Sequence, residues 1–106
     1  EIANHYQEGM ALRGIGSSHH HTNRHEVALA FYEKSLDLAH RIGDVYEEAR
    51  TLDEMGAAFA RTGETKQADE YWRRALDLYE RLGVAEAGPL RARLDGREAL
   101  ARSHQQ

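Results

Sequence analysis

Residues 52–76 read LDEMGAAFARTGETKQADEYWRRAL, and the order of apolar and small residues in this stretch decides the fold. Two helical patterns meet in it at a glycine. On one side, Val45, Ala49, Leu52, Met55, Gly56 and Phe59 recur at spacings of three and four, which places them on one stripe of a helix from Val45 to Arg61. Gly63 stops that helix. On the other side, Ala68, Trp72, Ala75, Leu76 and Tyr79 form a second stripe between Thr65 and Leu82, and Gly83 closes it as a C-terminal cap. Alternating β-branched and aromatic residues never appear and the one proline is Pro89, so the fold class is all-α.

Working outward, the chain repeats itself. Laying EIANHYQEGMALRGIG (1–16) over RIGDVYEEARTLDEMG (41–56) brings Ile2, Tyr6, Glu8, Leu12 and Gly16 onto Ile42, Tyr46, Glu48, Leu52 and Gly56. The register continues without a gap: Thr22, Ala28, Leu36, Asp37, Leu38, Arg41 and Gly43 fall on Thr62, Ala68, Leu76, Asp77, Leu78, Arg81 and Gly83. The period, Gly16 to Gly56, is 40 residues, the mark of stacked helical hairpins. Residues 1–106 therefore divide as one domain into repeat one (1–43), repeat two (44–83) and a partial third (84–106). In the last, RLGVAEAGPLRARLDG (81–96) repeats the link and Gly96, but Pro89 enters the first turn, Ala92 replaces leucine and Asp95 replaces an apolar residue. Pro89 to Arg102 reads as a shorter helix that caps the exposed end of the stack.

These residues resemble a tetratricopeptide repeat. Leu52, Met55, Gly56 and Phe59 match the family's first-helix signature, and Ala68, Trp72 and Ala75 match its second. The family unit is about 34 residues. Here the link RIGDVYEE (41–48) lengthens it, as in the longer variety with an lGD link that recurs in large bacterial signalling ATPases and transcription regulators. The family's proline late in the second helix is missing, since His40 and Glu80 occupy that place. The resemblance implies a right-handed superhelical stack of antiparallel helix hairpins, about two full repeats plus a C-terminal capping helix. It also implies that only small residues fit at Gly16 and Gly56, that Ala28 and Ala68 sit at the tight crossings, and that Leu36, Leu38, Leu76 and Leu78 line the seams. Tyr32 and Trp72 are expected to fill the space between hairpins.

The run GSSHHHT (16–22) is interpreted through the same register. SSHHHTNRHEVA (17–28) lies over AAFARTGETKQA (57–68), so His19, His20 and His21 stand where Phe59, Ala60 and Arg61 stand. The repeat continues on both sides of the triplet, which argues against an appended tag. Asn23 with Glu26 is expected to form a capping box for the second helix. Adjacent histidines on a helix point about 100° apart, a break at Asn23 separates His21 from His25, and His5, His40 and His104 share no motif with them. No metal or cofactor is assigned, and a histidine-based metal binder stands as the third reading of function, after protein docking and self-association. The structural reading is a partly buried His19 in an aromatic's place with His20 and His21 on the surface, which makes the first hairpin the looser one.

Composition narrows function further. At 106 residues, with 41% hydrophobic and 30% charged, the chain supports one modest domain with a thin core. The absence of cysteine removes disulfides and thiolate sites and favours a reducing compartment. No apolar window is long enough to span a membrane and no signal-peptide pattern opens the chain, so a soluble, cytoplasmic protein is expected. A net charge of −4 argues against nucleic acid, because the basic cluster Arg91, Arg93, Arg97 and Arg102 is diluted by Glu86, Asp95 and Glu98. Lysine is confined to Lys34 and Lys66 while arginine and alanine abound, a bias of GC-rich genomes. The chain starts without methionine, as a piece of a longer protein would.

No catalytic constellation is present. There is no phosphate loop, Ser17, Ser18, Ser35 and Ser103 lie in no nucleophile motif, and the acid pairs Glu47/Glu48 and Asp53/Glu54 read as solvated helix surface. A non-enzymatic role in protein–protein interaction follows from the resemblance, with the first helices side by side forming a groove for a partner's peptide or helix. The groove stripe it implies is Tyr6, Met10, Arg13, Ser17 and His20 beside Tyr46, Arg50, Asp53, Ala57 and Ala60, continued by Glu86, Leu90, Arg93 and Arg97. The paired tyrosines offer rigid contact surface and the arginines suit carboxylates. An ion pair between Arg13 and Asp53 is the competing reading of those two residues. The family's chaperone-tail clamp is not expected, because Arg13 and Ser17 stand where it needs lysine and asparagine. Self-association is the alternative function, since about two repeats leave an end surface exposed.

Overall fold

The computed structural model describes residues 2–104, so the outermost limits of repeat one at Glu1 and of the third segment at residues 105 and 106 lie outside the described residues. Five α-helices follow one another: α1 (Ile2–His21), α2 (His25–Ile42), α3 (Val45–Arg61), α4 (Thr65–Leu82) and α5 (Ala87–His104). The ends of α2 and α4 are displaced by the same 40 residues, His25 to Thr65 and Ile42 to Leu82. Equivalent glycines terminate them. Gly43 (φ +72°) and Gly83 (φ +68°) both adopt the left-handed conformation, and each donates its N–H back to the last turn.

Helix α1 packs on α2 and α3 on α4 as hairpins, while α2 also packs on α3, and α4 on α5. The glycines set how closely each hairpin closes. A Cβ on Gly56 would stand 2.5 Å from the Trp72 ring, and one on Gly16 would stand 2.8 Å from the Tyr32 ring and 3.2 Å from the carbonyl of Ala28. Tyr32 and Trp72 thus fill the interior of their own hairpins. Tyr32 also reaches across to Met55 and Ala58 of the next hairpin, so the expected place between hairpins holds for part of that ring. Ala28 and Ala68 are fully buried at the crossings. Along the seams, Leu38 is buried and Leu36, Leu76 and Leu78 are half-buried against the core.

The His19 substitution keeps the packing geometry while losing apolar surface. Its ring stacks on Phe31 at 5.7 Å, as Phe59 stacks on Tyr71 at 5.3 Å one repeat later. Among the described residues α1 buries only Gly9 and Gly16, whereas α3 buries Ala49, Leu52, Met55 and Ala58 among others. A polar contact compensates in part: the Ser35 hydroxyl donates to the Gly9 carbonyl at 2.9 Å and lies 3.3 Å from the Thr51 hydroxyl, joining α1, α2 and α3 in a buried chain.

Two local expectations are corrected. Asn23 does not open a capping box with Glu26: the α2 N-cap is Arg24, without a side-chain cap, and Asn23 itself takes φ +63°. The turn needs a left-handed residue there, which Gly63 (φ +80°) supplies in the second hairpin and asparagine tolerates in the first. Helix α5 is not shortened to Pro89–Arg102; it begins at Ala87, because proline within the first turn lacks only an N–H that would have no helical partner.

Candidate functional site

The 40-residue register sets α1 and α3 side by side and pairs Tyr6 with Tyr46, Met10 with Arg50, Arg13 with Asp53, Ser17 with Ala57, and His20 with Ala60. One end of this stripe is open. Tyr6 (38%), Met10 (52%) and Tyr46 (38%) are exposed, and the Arg50 guanidinium lies 5.5 Å above the Tyr46 ring. The Tyr46 hydroxyl donates to Glu86, a bond that raises the tyrosine's pKa and lowers the glutamate's.

The middle of the stripe is closed by internal bonds. Arg13 does not pair with Asp53. Its guanidinium donates to Glu47 and, at 2.6 Å, to Glu54, while the Tyr32 hydroxyl donates to Glu54 at 3.2 Å. Burial works against the Arg13 charge, but the hydrogen bonds and charges of the two glutamates outweigh it and raise its pKa. Glu47, expected on a solvated surface, is 4% exposed because it meets this arginine. Asp53 turns instead into its own hairpin, where it accepts from the Trp72 indole N–H at 3.1 Å and the Tyr79 hydroxyl at 3.1 Å. Burial raises the Asp53 pKa, those bonds and Arg93 only partly opposing it, and Tyr79 rises through burial and the Asp53 charge.

At the other end Ser17, His20, Ala57 and Ala60 are half-buried. His20 lines a hollow of 180 Å³ with Asn23, His25, Arg61 and Thr62. Burial, then the charge of Arg61 and the neighbouring histidines, lowers its pKa. His21 is exposed and its Nδ1 lies 2.7 Å from the Ser17 carbonyl. Among the described residues, no three His, Asp or Glu side chains come together in a way that could hold a metal.

The expected continuation along α5 is only partly there. Arg97 folds back onto α4, where Nε donates to Asp69 at 2.6 Å and the guanidinium covers the Trp72 ring at 4.9 Å. It is a packing residue, because the indole edge beneath it would otherwise meet water. Leu90 is buried in the core with Leu94. Arg93 remains exposed, 5.1 Å from the Trp72 ring, and lines a hollow of 150 Å³ with Asp53, Glu86, Pro89 and Leu90.

The tetratricopeptide repeat family model matches residues 4–81, most of the chain. The chain belongs to the tetratricopeptide repeat family. No curated protein matches it in a sequence search. Tetratricopeptide repeats generally mediate protein–protein interaction and are typically non-enzymatic. No helix of this tetratricopeptide repeat chain, among the described residues, is long and apolar enough to cross a membrane.

A further concavity of these repeats lies off the expected stripe. Glu33, Leu36, Asp37, His40, Glu48 and Tyr71 are among the residues lining a hollow of 380 Å³ between α2 and α4. Sequence reasoning missed it. Glu33 and Asp37 at i and i+4 put two carboxylates on one face of α2, but the hollow beside them is made only when Glu48 and Met55 of α3 and Tyr71 and Arg74 of α4 are brought next to that face.

Proposed function

We propose that this tetratricopeptide repeat chain is a non-catalytic docking module that holds a partner's peptide or helix against α1 and α3. The supporting observation is the cluster of exposed Tyr6, Met10 and Tyr46 beside Arg50, an aromatic and apolar surface next to a cation. Recognition centres on that end, with Ser17, His20, Ala57, Ala60 and Arg93 as the further contacts, since Arg13, Asp53 and Arg97 are engaged within the fold. A role inside a larger bacterial regulator in the cytoplasm is compatible with the 40-residue period of the repeats.

Capture of partners from the source organism on immobilised protein tests this reading. Tyr46→Ala with Arg50→Ala abolishes specific capture while leaving the helical signal and melting temperature near those of the parent. Retained capture by that variant overturns the assignment.

Self-association is the second reading. It draws on α5, where Leu100 is 62% exposed and Gly96 has nothing within 4 Å, although its counterparts Gly16 and Gly56 each face an aromatic ring. A strict monomer in concentrated sedimentation runs removes it.

A further inference from the structure

Helices α2 and α4 form a second candidate docking surface. Leu36, Met55 and Tyr71 line the 380 Å³ hollow between them, and an adjoining hollow of 150 Å³, lined by Leu52 and Leu78, shares Glu48 and Arg74 with it. Carboxylates surround this apolar lining: Glu33 and Asp37 from α2, Glu48 from α3 and Asp77 from α4. Among the lining residues the one guanidinium is that of Arg74, which lies 5.4 Å from the centre of the Tyr71 ring.

The negative rim is poorly compensated. Asp37 and Asp77 pair with Arg41 at 3.2 Å and Arg81 at 2.9 Å, both highly exposed contacts that contribute little. Glu48 has His40 at 3.6 Å, and Glu33 has no ion-pair partner among the described residues. The rim is only partly a product of the repeat. One period on, Asp37 recurs as Asp77 and Glu80 stands for His40, but Arg73 and Gly88 take the places of Glu33 and Glu48, so the combination of Glu33 with Glu48 belongs to this seam.

We infer that the α2/α4 seam docks a basic segment of a partner protein. One long apolar side chain enters between Leu36 and Tyr71, and flanking lysines or arginines meet Glu33, Asp37 and Glu48. Such a guest withdraws apolar surface from water and relieves the repulsion among the carboxylates, which neither an acidic nor a purely polar segment does. The surface is separate from the α1/α3 stripe, using α2, α4 and other positions of α3, and has the opposite charge preference.

The test is titration of the isotope-labelled chain with a synthetic peptide of about twelve residues carrying a central leucine among lysines, followed by amide shifts. Shifts at Leu36, Tyr71 and Arg74 are expected, with the stripe of Tyr6, Tyr46 and Arg50 unmoved. Glu33→Lys with Asp37→Lys, both exposed and harmless to the core, weakens binding at least about tenfold while the melting temperature holds. Glu48→Gln provides a milder check on the α3 side. Equal binding by the double lysine variant, shifts confined to the α1/α3 stripe, or equal binding of a peptide with glycine for leucine, which signifies net charge alone, each overturns the inference.

Discussion

Gly56 of α3 and Trp72 of α4 meet so closely that a Cβ on the glycine would lie 2.5 Å from the indole ring, and Gly16 stands in the same relation to Tyr32. The contact joins the two halves of each hairpin, and the indole N–H extends it by donating to the Asp53 carbonyl at 3.0 Å. Helix spacing in both repeats is thus set by a missing side chain opposite a large one.

Gly56→Ala forces ring or helix to shift and destabilises the chain by about 1–3 kcal/mol, with Gly16→Ala in the same direction. Gly96→Ala, where nothing lies within 4 Å, stabilises by up to about 1 kcal/mol through helix propensity. Chemical denaturation of the three variants measures this. A neutral Gly56→Ala removes the spacing argument.

Arg13→Leu leaves Glu47 buried without its cation and costs about 3–5 kcal/mol. Replacing both, Arg13→Leu with Glu47→Leu, recovers most of that loss, because the penalty comes from the stranded carboxylate. A double-mutant cycle in urea checks it, and additive losses contradict it.

Asp53 acts in the reverse sense to a paired surface carboxylate. Burial raises its folded pKa above the ordinary 3.8, so the folded state holds the proton more tightly than the unfolded chain. Its contribution to stability therefore falls as pH rises from that ordinary value through the raised one. Asp53→Asn flattens this part of the stability profile and keeps a side-chain oxygen in place, whereas Asp53→Ala strands the Tyr79 hydroxyl, the Trp72 N–H retaining the Asp53 backbone carbonyl, and costs about 1–3 kcal/mol at neutral pH. Unfolding free energies from acid to neutral pH discriminate the variants.

His20 supplies a second pH term of opposite sign. Its folded pKa lies below the ordinary 6.5, so on acidification the unfolded chain takes up a proton that the folded state resists. Stability is then lost as pH falls from 6.5 into the window below it. The His20 ring proton shift should titrate below the usual histidine range, and His20→Gln should remove that slope. A midpoint at or above the ordinary value refutes the assignment.

The sequence alone determined the periodic part of this protein. Apolar spacing bounded α3 and α4 at Val45–Arg61 and Thr65–Leu82, and the in-register copies of Gly16, Gly43 and Ala28 predicted the first hairpin, because helix period and chain termination are local properties. The register showed which positions of α1 and α3 correspond, but not which of their charged side chains are engaged within the fold. Which acid meets Arg13, whether Arg97 faces outward or covers Trp72, and where α2 and α4 leave an open seam were decided only in the tertiary structure. Long charged side chains can reach several partners from one helical position, and the choice among them rests on distances and burial created by helices far apart in the chain.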